Sequence, residues 1–330
     1  MTLSLWDAWN RLAARQPHGI AATLLPYTAA GKIDWASFEA HVARTRAAGL
    51  DVAVNLATGF GDLLTPAERI AVLEATRRAL GPSTAFYAGA YALGASDPLA
   101  AYREAIQAIE RVGAQPVLVQ CPAMQAMKPA EKAAFYAEAA EAASDGVLAF
   151  ELSPRFAPHG EIWDAETFER LLGIPALRGA KHSSLDRTLE LDRIAVRDRV
   201  RPGWRVYTGN DLAIDMVALG SDYLLGLATF APKQFAARDA ALAAGDIAFL
   251  ARNDDLQHLG NVAFREPIPA YKHAAAQLLH ITGGLPSDHV HPKAARRPGS
   301  DRILLHDCAR RLGMLADPEK SWRERVEPFL

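Results

Sequence analysis

Cysteine, excess charge of one sign and long apolar runs are all scarce in this chain of 330 residues. Its two cysteines, Cys121 and Cys308, form no CxxC motif and indicate no disulfide framework, so we expect reduced thiols in a cytoplasmic protein. The formal net charge of -2 gives no electrostatic reason to expect nucleic acid or a membrane surface as a partner. No apolar stretch approaches the roughly 18 residues of a membrane span. Residues 1–19 lack the pattern of a signal peptide, so none is expected.

Motifs for cofactors and metals are also missing. No GxGxxG follows the first predicted strand, and neither a P-loop nor a GxSxG elbow occurs. A metal-dependent barrel would need His, Asp or Glu side chains converging from several strand ends, where this chain has Lys, Phe and Thr. The close pair His289 and His291 lies in a C-terminal loop, where a surface role is expected. We therefore predict no metal and no cofactor.

The chain does contain a regular alternation of short apolar stretches and helical patterns. Eight strand-then-helix units follow one another, with strands predicted at 19–27, 51–58, 84–90, 116–122, 146–152, 177–183, 204–209 and 222–227. Each predicted strand is apolar on both faces, as buried parallel strands are. Capping signals mark helix starts, with Thr65 before Pro66 and Ser96 expected as another cap.

Such a run suits either a doubly wound sheet or a closed barrel. The count of eight, the missing dinucleotide motif and the lack of a composition break favour the α/β fold known as the (β/α)₈ or TIM barrel. We expect residues 1–233 to form the barrel and residues 234–330 to form a helical C-terminal extension packed on it.

The sixth predicted strand ends in an unusual residue, Lys181. Because strand side chains alternate, an inward Lys181 places Gly179 and Ser183 inward as well, and Ala180 and His182 toward the helices. Burial of an inward lysine disfavours its ammonium form and lowers its pKa, which frees an amine that can form a Schiff base with a ketone or aldehyde. The alternative is a lysine that reaches solvent or pairs with a carboxylate. Strand position alone leaves both open.

Several motifs carry a family resemblance in matching order along residues 19–280. The stretch LATGFGDLLTPAER (56–69) resembles a Gly-Thr-Thr-Gly-Glu loop and the helix start after it, GAKHSS (179–184) resembles Gly-x-Lys-[Glu/Asp]-[Ser/Ala], and EPIPAYKHA (266–274) resembles NPIPVK. Together these stretches resemble the dihydrodipicolinate synthase and N-acetylneuraminate lyase family of class I aldolases. The resemblance implies an imine between Lys181 and a 2-oxo acid such as pyruvate, an aldehyde as second substrate, and a homo-oligomer, either a dimer or a tetramer.

The same resemblance implies a set of substrate-binding residues. Thr58 and Gly59 would hold the carboxylate of the oxo acid, and Arg155 aligns with an arginine that engages the carboxylate of a second substrate. Asn210, at the top of strand seven, and Leu225, in strand eight, complete the predicted lining. Asp211 would either line the site or cap the following helix.

Four positions depart from the family pattern, among them the supporting tyrosine after strand four, which falls at Ala123 or Met124. The proton-relay tyrosine of the fifth strand is Phe150 here, and a phenyl ring has no hydroxyl to transfer a proton. The first threonine of the carboxylate loop is Ala57, and the glutamate of that loop is Phe60. General acid–base catalysis contributes a factor of about 10²–10⁴ to the rate. An ordinary aldolase rate therefore requires another residue that transfers protons in place of the missing tyrosine.

Three interpretations follow. In the first, another residue supplies the acid–base group, with Tyr91 at the end of strand three as the favoured candidate and Glu151, His182 and His159 as weaker ones. In the second, the imine serves a reaction with lighter proton demand, such as a dehydration, or a bulkier oxo acid in a less polar pocket lined by Phe150. In the third, the protein is an impaired relative or a protein that binds an oxo acid without turnover.

Overall fold

A computed structural model describes residues 15–330, so the expectation of no signal peptide falls partly on residues outside it. Eight parallel strands close into a barrel in chain order, with the first strand paired to both the second and the eighth. These strands are β1 (Gly19–Ala22), β2 (Asp51–Val54), β3 (Tyr87–Ala90), β4 (Gln115–Val119), β5 (Val147–Leu152), β6 (Leu177–Ser183), β7 (Arg205–Thr208) and β8 (Asp222–Leu225). The predicted (β/α)₈ TIM barrel with C-terminal helices is confirmed.

Helices surround this barrel and continue beyond it. Those up to β8 are α1 (Trp35–Ala47), α2 (Pro66–Leu80), α3 (Pro98–Arg111), α4 (Pro122–Gln125), α5 (Pro129–Ala140), α6 (Ala165–Leu172) and α7 (Arg187–Val200). The later helices are α8 (Pro232–Ala243), α9 (Ala248–Ala263), α10 (Tyr271–Ile281), α11 (Asp301–Arg311) and α12 (Pro318–Arg325). Among the helices of residues 15–330, none is long and apolar enough to cross a membrane.

Local sequence explains where several elements begin. The side chain of Thr65 accepts a hydrogen bond from the backbone N–H of Glu68, and the carboxylate of Glu68 accepts one from the backbone N–H of Thr65. Helix α2 therefore begins with the predicted cap and with Pro66 in its first turn. The expectation that Ser96 caps α3 is wrong, because the side chain of Asp97 accepts from the backbone N–H of the third helical residue.

Most strands are shorter than the apolar stretches that predicted them. The clearest case is β1, which ends at residue 22 although the apolar run continues to residue 27. The helix expected over 211–220 is a short 3₁₀ segment, Ile214–Leu219. An apolar stretch indicates that residues are buried, whether they lie in a strand or in a buried loop after it. The sequence pattern therefore cannot tell where a strand ends.

Two hydrophobic layers result from the alternation along the strands. One fills the barrel and includes Tyr87, Val119, Phe150, Tyr207 and Leu224. The other lies between the strands and the helices and is larger. Each large apolar side chain that is fully buried contributes roughly 1.5–3 kcal/mol, so both layers stabilise the closed barrel.

The C-terminal helices pack against one another and reach the barrel. α9 contacts α8, α10 and α11, and α10 contacts α12. The boundary predicted after residue 233 falls inside α8, the helix that follows β8. The division into 1–233 and 234–330 stays a prediction.

Candidate active site at the carboxyl end of the barrel

Lys181 lies in β6 with its side chain directed into the barrel. It pairs in register with Phe150 of β5 on one side and Tyr207 of β7 on the other, and both belong to the inner layer. Its Nζ lies 4.4 Å from the centroid of the Phe150 ring, and only 5% of the residue is exposed. Ala180 belongs to the outer layer, so the alternation predicted around Lys181 is confirmed.

The surroundings of Lys181 make its neutral amine more accessible than that of an exposed lysine. Burial lowers the pKa of Lys181, and the negative charge of nearby Asp211 acts in the opposite direction. Burial likewise raises the pKa of Asp211, whose Oδ1 accepts a hydrogen bond of 2.6 Å from the backbone N–H of Leu227. Within residues 15–330, no direct hydrogen bond or ion pair occupies the Nζ of Lys181. An amine in this state is a nucleophile toward carbonyl carbon.

Room for the lysine side chain comes from a glycine after β7. A Cβ atom built at Gly209 would lie 2.7 Å from Cε of Lys181 and would also collide with the hydroxyl of Ser183. The backbone of β7 therefore approaches the lysine closely, which holds its stem against the barrel wall. Ser183 faces the same side as Lys181, as alternation predicts.

The loop after β2 supplies Thr58 and Gly59 in a 3₁₀ turn over Ala57–Gly59. Thr58 is buried, and its Oγ1 lies 2.8 Å from the hydroxyl oxygen of Tyr271, at the start of α10. A Cβ at Gly59 would lie 3.1 Å from a carbonyl oxygen of the loop after β1, so the turn packs closely there. The two predicted carboxylate-binding residues thus share a turn at the barrel mouth.

Tyr271 is a buried hydroxyl at this mouth that the sequence analysis did not single out. Its ring stacks on Phe264 at a centroid distance of 4.3 Å and meets Phe156 edge-on at 6.3 Å. Phe156 in turn packs against the inner layer of the barrel. The motif EPIPAYKHA contains this tyrosine, but nothing in its spacing indicates that the side chain reaches a loop after β2.

Tyr91 lies in the inner layer near the same loop. The guanidinium carbon of Arg69 stands 5.1 Å from the centroid of its ring, and a Cβ at Gly61 would lie 2.6 Å from its hydroxyl. Burial raises the pKa of Tyr91, and the charge of Asp62 adds to the effect. One carboxylate oxygen of Asp62 is buried with no hydrogen-bond partner among the described residues.

Other predicted residues lie elsewhere. Arg155 forms an exposed ion pair of 2.6 Å with Glu266, at the rim. The amide of Asn210 is engaged outside the barrel, accepting from the backbone N–H of Leu185 and donating to Glu190 at 2.6 Å in each case. These contacts direct the amide away from Lys181, so they do not support its predicted role as site lining.

Leu225 also faces away from the mouth. Its side chain belongs to the outer layer, whereas its neighbour Leu224 belongs to the inner layer and pairs with Ile20. Alternation along β8 therefore turns Leu225 toward the helices, which does not support its predicted role as site lining.

Glu151 and His182 follow the predicted alternation and face the helices. The Nδ1 of His182 lies 2.5 Å from Glu151, and Arg193 of α7 donates to the same carboxylate at 2.8 Å. All three side chains are buried. Their outward direction removes both Glu151 and His182 from the candidates for proton transfer at Lys181. Within the described part of the chain, no three His, Cys, Asp or Glu side chains are grouped as a metal site.

Three solved structures with the same fold share low sequence identity with this chain. Dihydrodipicolinate synthase from Thermotoga maritima matches with a TM-score of 0.78 and 18% identity over 91% of this chain and 100% of that one. The chloride-inhibited synthase from Acinetobacter baumannii, complexed with pyruvate, matches with a TM-score of 0.77 and 21% identity over 91% of this chain and 100% of that one. A prophage protein of that synthase family from E. coli K12, also in complex with pyruvate, matches with a TM-score of 0.78 and 18% identity over 90% of this chain and 99% of that one.

These structures confirm the resemblance at the level of the fold. A sequence search of curated proteins finds no match. A family model described as "Protein of unknown function (DUF993)" matches residues 10–330. The chain therefore belongs to the DUF993 family, and its barrel has the fold of the dihydrodipicolinate synthase family.

Proposed function

We propose that this chain is a class I lyase or aldolase that binds a 2-oxo acid as an imine on Lys181. The observation that carries the proposal is the position of this amine, buried inside the barrel beside Phe150 and free of a direct ion pair within the described residues. Active sites of this fold lie at the carboxyl ends of the strands, where Lys181 is found.

The proposed reaction begins with attack of the Nζ lone pair on C2 of the oxo acid. The carbonyl π electrons move to oxygen, which takes the proton that nitrogen loses. A second proton transfer to that oxygen releases water and leaves an iminium. The iminium then accepts the electron pair of a broken C–H or C–C bond, which permits condensation, cleavage or dehydration.

Thr58 and Gly59 are proposed to hold the carboxylate of the oxo acid, because their turn places the Thr58 hydroxyl at the mouth beside a residue without a side chain. Arg155 is proposed to meet the carboxylate of a second substrate, such as an aldehyde acid, after releasing Glu266. An aldehyde partner and a homo-oligomer, dimer or tetramer, rest on the family resemblance.

Substrate choice is proposed to follow from the apolar lining. Phe150 lies beside the reactive amine, and Phe156 packs over the same inner layer. A less polar mouth favours an oxo acid with a bulkier or aromatic substituent over a small polar one.

A second candidate function is binding of an oxo acid without turnover. The observation that favours it is Phe150, since a phenyl ring at this position cannot transfer a proton. Such a protein would still form the imine, slowly, but would not break or make a carbon–carbon bond.

Reduction with borohydride tests the proposal. The protein is incubated with pyruvate and with larger 2-oxo acids, reduced, and its intact mass is measured. We expect a mass increase equal to the acid minus water plus two hydrogens in the wild type and none in Lys181→Ala. A wild-type chain that gains no mass with any acid contradicts the proposal. An adduct without consumption of the acid supports the binding protein.

A further inference from the structure

Tyr271 and Thr58 form a pair of buried hydroxyls at the mouth of the barrel. Their oxygens are 2.8 Å apart, although the residues are 213 positions apart in the chain. Tyr271 is 2% exposed and Thr58 is 1% exposed, so bulk water does not compete for this hydrogen bond. A hydroxyl pair of this kind can pass a proton from one oxygen to the other.

The tyrosine ring is held in one place by its neighbours. Phe264 stacks on one face and Phe156 meets the ring edge-on. Gly226, directly after β8, leaves room for both members of the pair, since a Cβ there would lie 3.0 Å from Cε2 of Tyr271 and 3.2 Å from Oγ1 of Thr58. A hydroxyl held this firmly loses little freedom when it enters a reaction.

The charge of Asp211 acts on both the amine and the phenol of the hydroxyl pair. Its carboxylate is fixed to the backbone N–H of Leu227, next to Gly226, and it acts electrostatically on Lys181 on one side and on Tyr271 on the other. Burial is the larger cause that raises the pKa of Tyr271, so its phenol stays protonated at neutral pH and is available as a donor.

We infer that Tyr271, paired with Thr58, is the proton-transfer residue for imine formation at Lys181, in place of the hydroxyl that Phe150 lacks. This inference rests on the proposed function. In the carbinolamine, the Tyr271 phenol gives its proton to the departing hydroxyl, and the C–O bond breaks to release water. The nitrogen lone pair forms the C=N bond. The phenolate then regains a proton from the nitrogen or from C3, directly or through Thr58, so protons balance over the cycle.

Tyr91, the candidate from the sequence, has a different setting. The Arg69 guanidinium lies over its ring, and its hydroxyl faces the backbone at Gly61. Tyr271 has the hydrogen bond to Thr58 and the shared neighbour Asp211, and Tyr91 has neither within the described residues. The arrangement therefore favours Tyr271.

The test is the rate of adduct formation in Tyr271→Phe. Wild type and variant are mixed with saturating pyruvate and reduced with borohydride after set times. The fraction of protein that carries the adduct is then measured by intact-mass spectrometry. We expect the variant to form the adduct about 10²-fold more slowly, the lower end of general acid–base effects. Tyr223→Phe is the matched control, because Tyr223 is equally buried and its hydroxyl makes one hydrogen bond of 2.6 Å to Asp239 in the outer layer. Its rate should equal that of the wild type.

Restoring a hydroxyl in a second variant distinguishes a loss of proton transfer from a loss of structure. Adding Phe150→Tyr to Tyr271→Phe returns a hydroxyl to the side of Lys181, so the adduct rate should recover at least tenfold. Thr58→Val, which removes the other hydroxyl, serves as the test if Tyr271→Phe does not fold. It should slow adduct formation even at saturating pyruvate, whereas lost binding of the carboxylate alone would only raise the pyruvate concentration needed for saturation.

The outcomes are distinct. If the wild type forms no adduct with any 2-oxo acid, the proposed function and this inference both fail. If the wild type forms it and Tyr271→Phe forms it equally fast, this inference alone fails. A loss confined to Tyr91→Phe also overturns it, in favour of Tyr91.

Discussion

At the scale of single residues, the amine of Lys181 lies in an inner layer made mostly of apolar and aromatic side chains. Water cannot solvate an ammonium there as it does at the surface, so the neutral form gains relative stability. Asp211 partly offsets this effect. The balance between these two residues determines the pH range in which the amine can attack a carbonyl.

Adduct formation should therefore rise with pH, with a midpoint well below the ordinary lysine pKa of about 10.4. Asp211→Asn removes a negative charge that stabilises the ammonium while keeping an oxygen for the Leu227 N–H, so the midpoint should move to lower pH. The measurement is the initial rate of borohydride-trapped adduct at saturating pyruvate between pH 5 and 10. A midpoint that moves upward in Asp211→Asn would contradict this electrostatic assignment.

Alternation along a strand was enough to predict that His182 faces the helices once Lys181 is taken to face inward, but the direction of Lys181 itself was a hypothesis. Alternation was not applied to Leu225, which entered the predicted lining from the family resemblance, whereas alternation along β8 turns Leu224 inward. Tyr271 was beyond sequence reasoning for a different reason. Its contact with Thr58 exists only because the segment after α9 folds back over the barrel mouth, and no local pattern encodes that return.

At the scale of elements, a buried ionic network joins β5, β6 and α7. Glu151 accepts from Arg193 and contacts His182, and their charges hold the pKa of Glu151 below its usual range although burial acts in the opposite direction. Removing one member of such a network leaves an unpaired charge in the interior, which is costly. The network therefore fixes β6, and with it the position of Lys181.

Glu151→Ala should lower the free energy of unfolding by about 3–5 kcal/mol, since Arg193 would remain buried without its carboxylate. Glu166→Ala is the control. It removes another glutamate paired to an arginine, Arg170, but both side chains are about half exposed or more, and the expected change is at most about 0.5 kcal/mol. Urea unfolding measures both variants. Similar losses in the two would show that the buried network does not hold β5 to β6.

Because Glu151 has a lowered pKa in the folded state, its stabilising effect is present above the unfolded pKa of about 4.3. It is lost as pH falls through the still lower folded value. The stability difference between wild type and Glu151→Ala should consequently shrink in acid.

Element order and type were largely predictable, because the alternation of apolar stretches with helical patterns repeats eight times. Element ends were not. The apolar run 19–27 includes buried loop residues after β1, and the 3₁₀ segment Ile214–Leu219 was taken for an α-helix because its apolar spacing is similar.

At the scale of the whole molecule, the C-terminal helices complete the barrel mouth rather than only covering its side. Tyr271 of α10 contacts Thr58 of the loop after β2, and the guanidinium of Arg297 donates to the carbonyls of Ala263 and Glu266, just before α10. These contacts couple the segment that carries Tyr271 to both the barrel and the last helices. Loss of the extension would thus remove a wall of the site.

Such coupling predicts one cooperative thermal transition for residues on both sides of position 233. Scanning calorimetry should give a single peak whose calorimetric and van't Hoff enthalpies agree. Two resolved peaks would instead indicate that the extension unfolds as a separate unit. Arg297→Ala, which removes the donors before α10, should lower the midpoint without splitting the peak.

The identity of the modified residue tests the central claim most directly. After reduction in the presence of a 2-oxo acid, the protein is digested and the peptide that contains residues 179–186 is sequenced by tandem mass spectrometry. We predict that the added mass lies on Lys181 alone. In a separate experiment without borohydride, an excess of the 2-oxo acid should protect Lys181 from modification by an amine-specific reagent. An adduct on surface lysines, or on Lys272, a buried lysine whose Nζ lies 5.2 Å from the centroid of the Phe60 ring, with Lys181 unmodified, would contradict imine chemistry at Lys181.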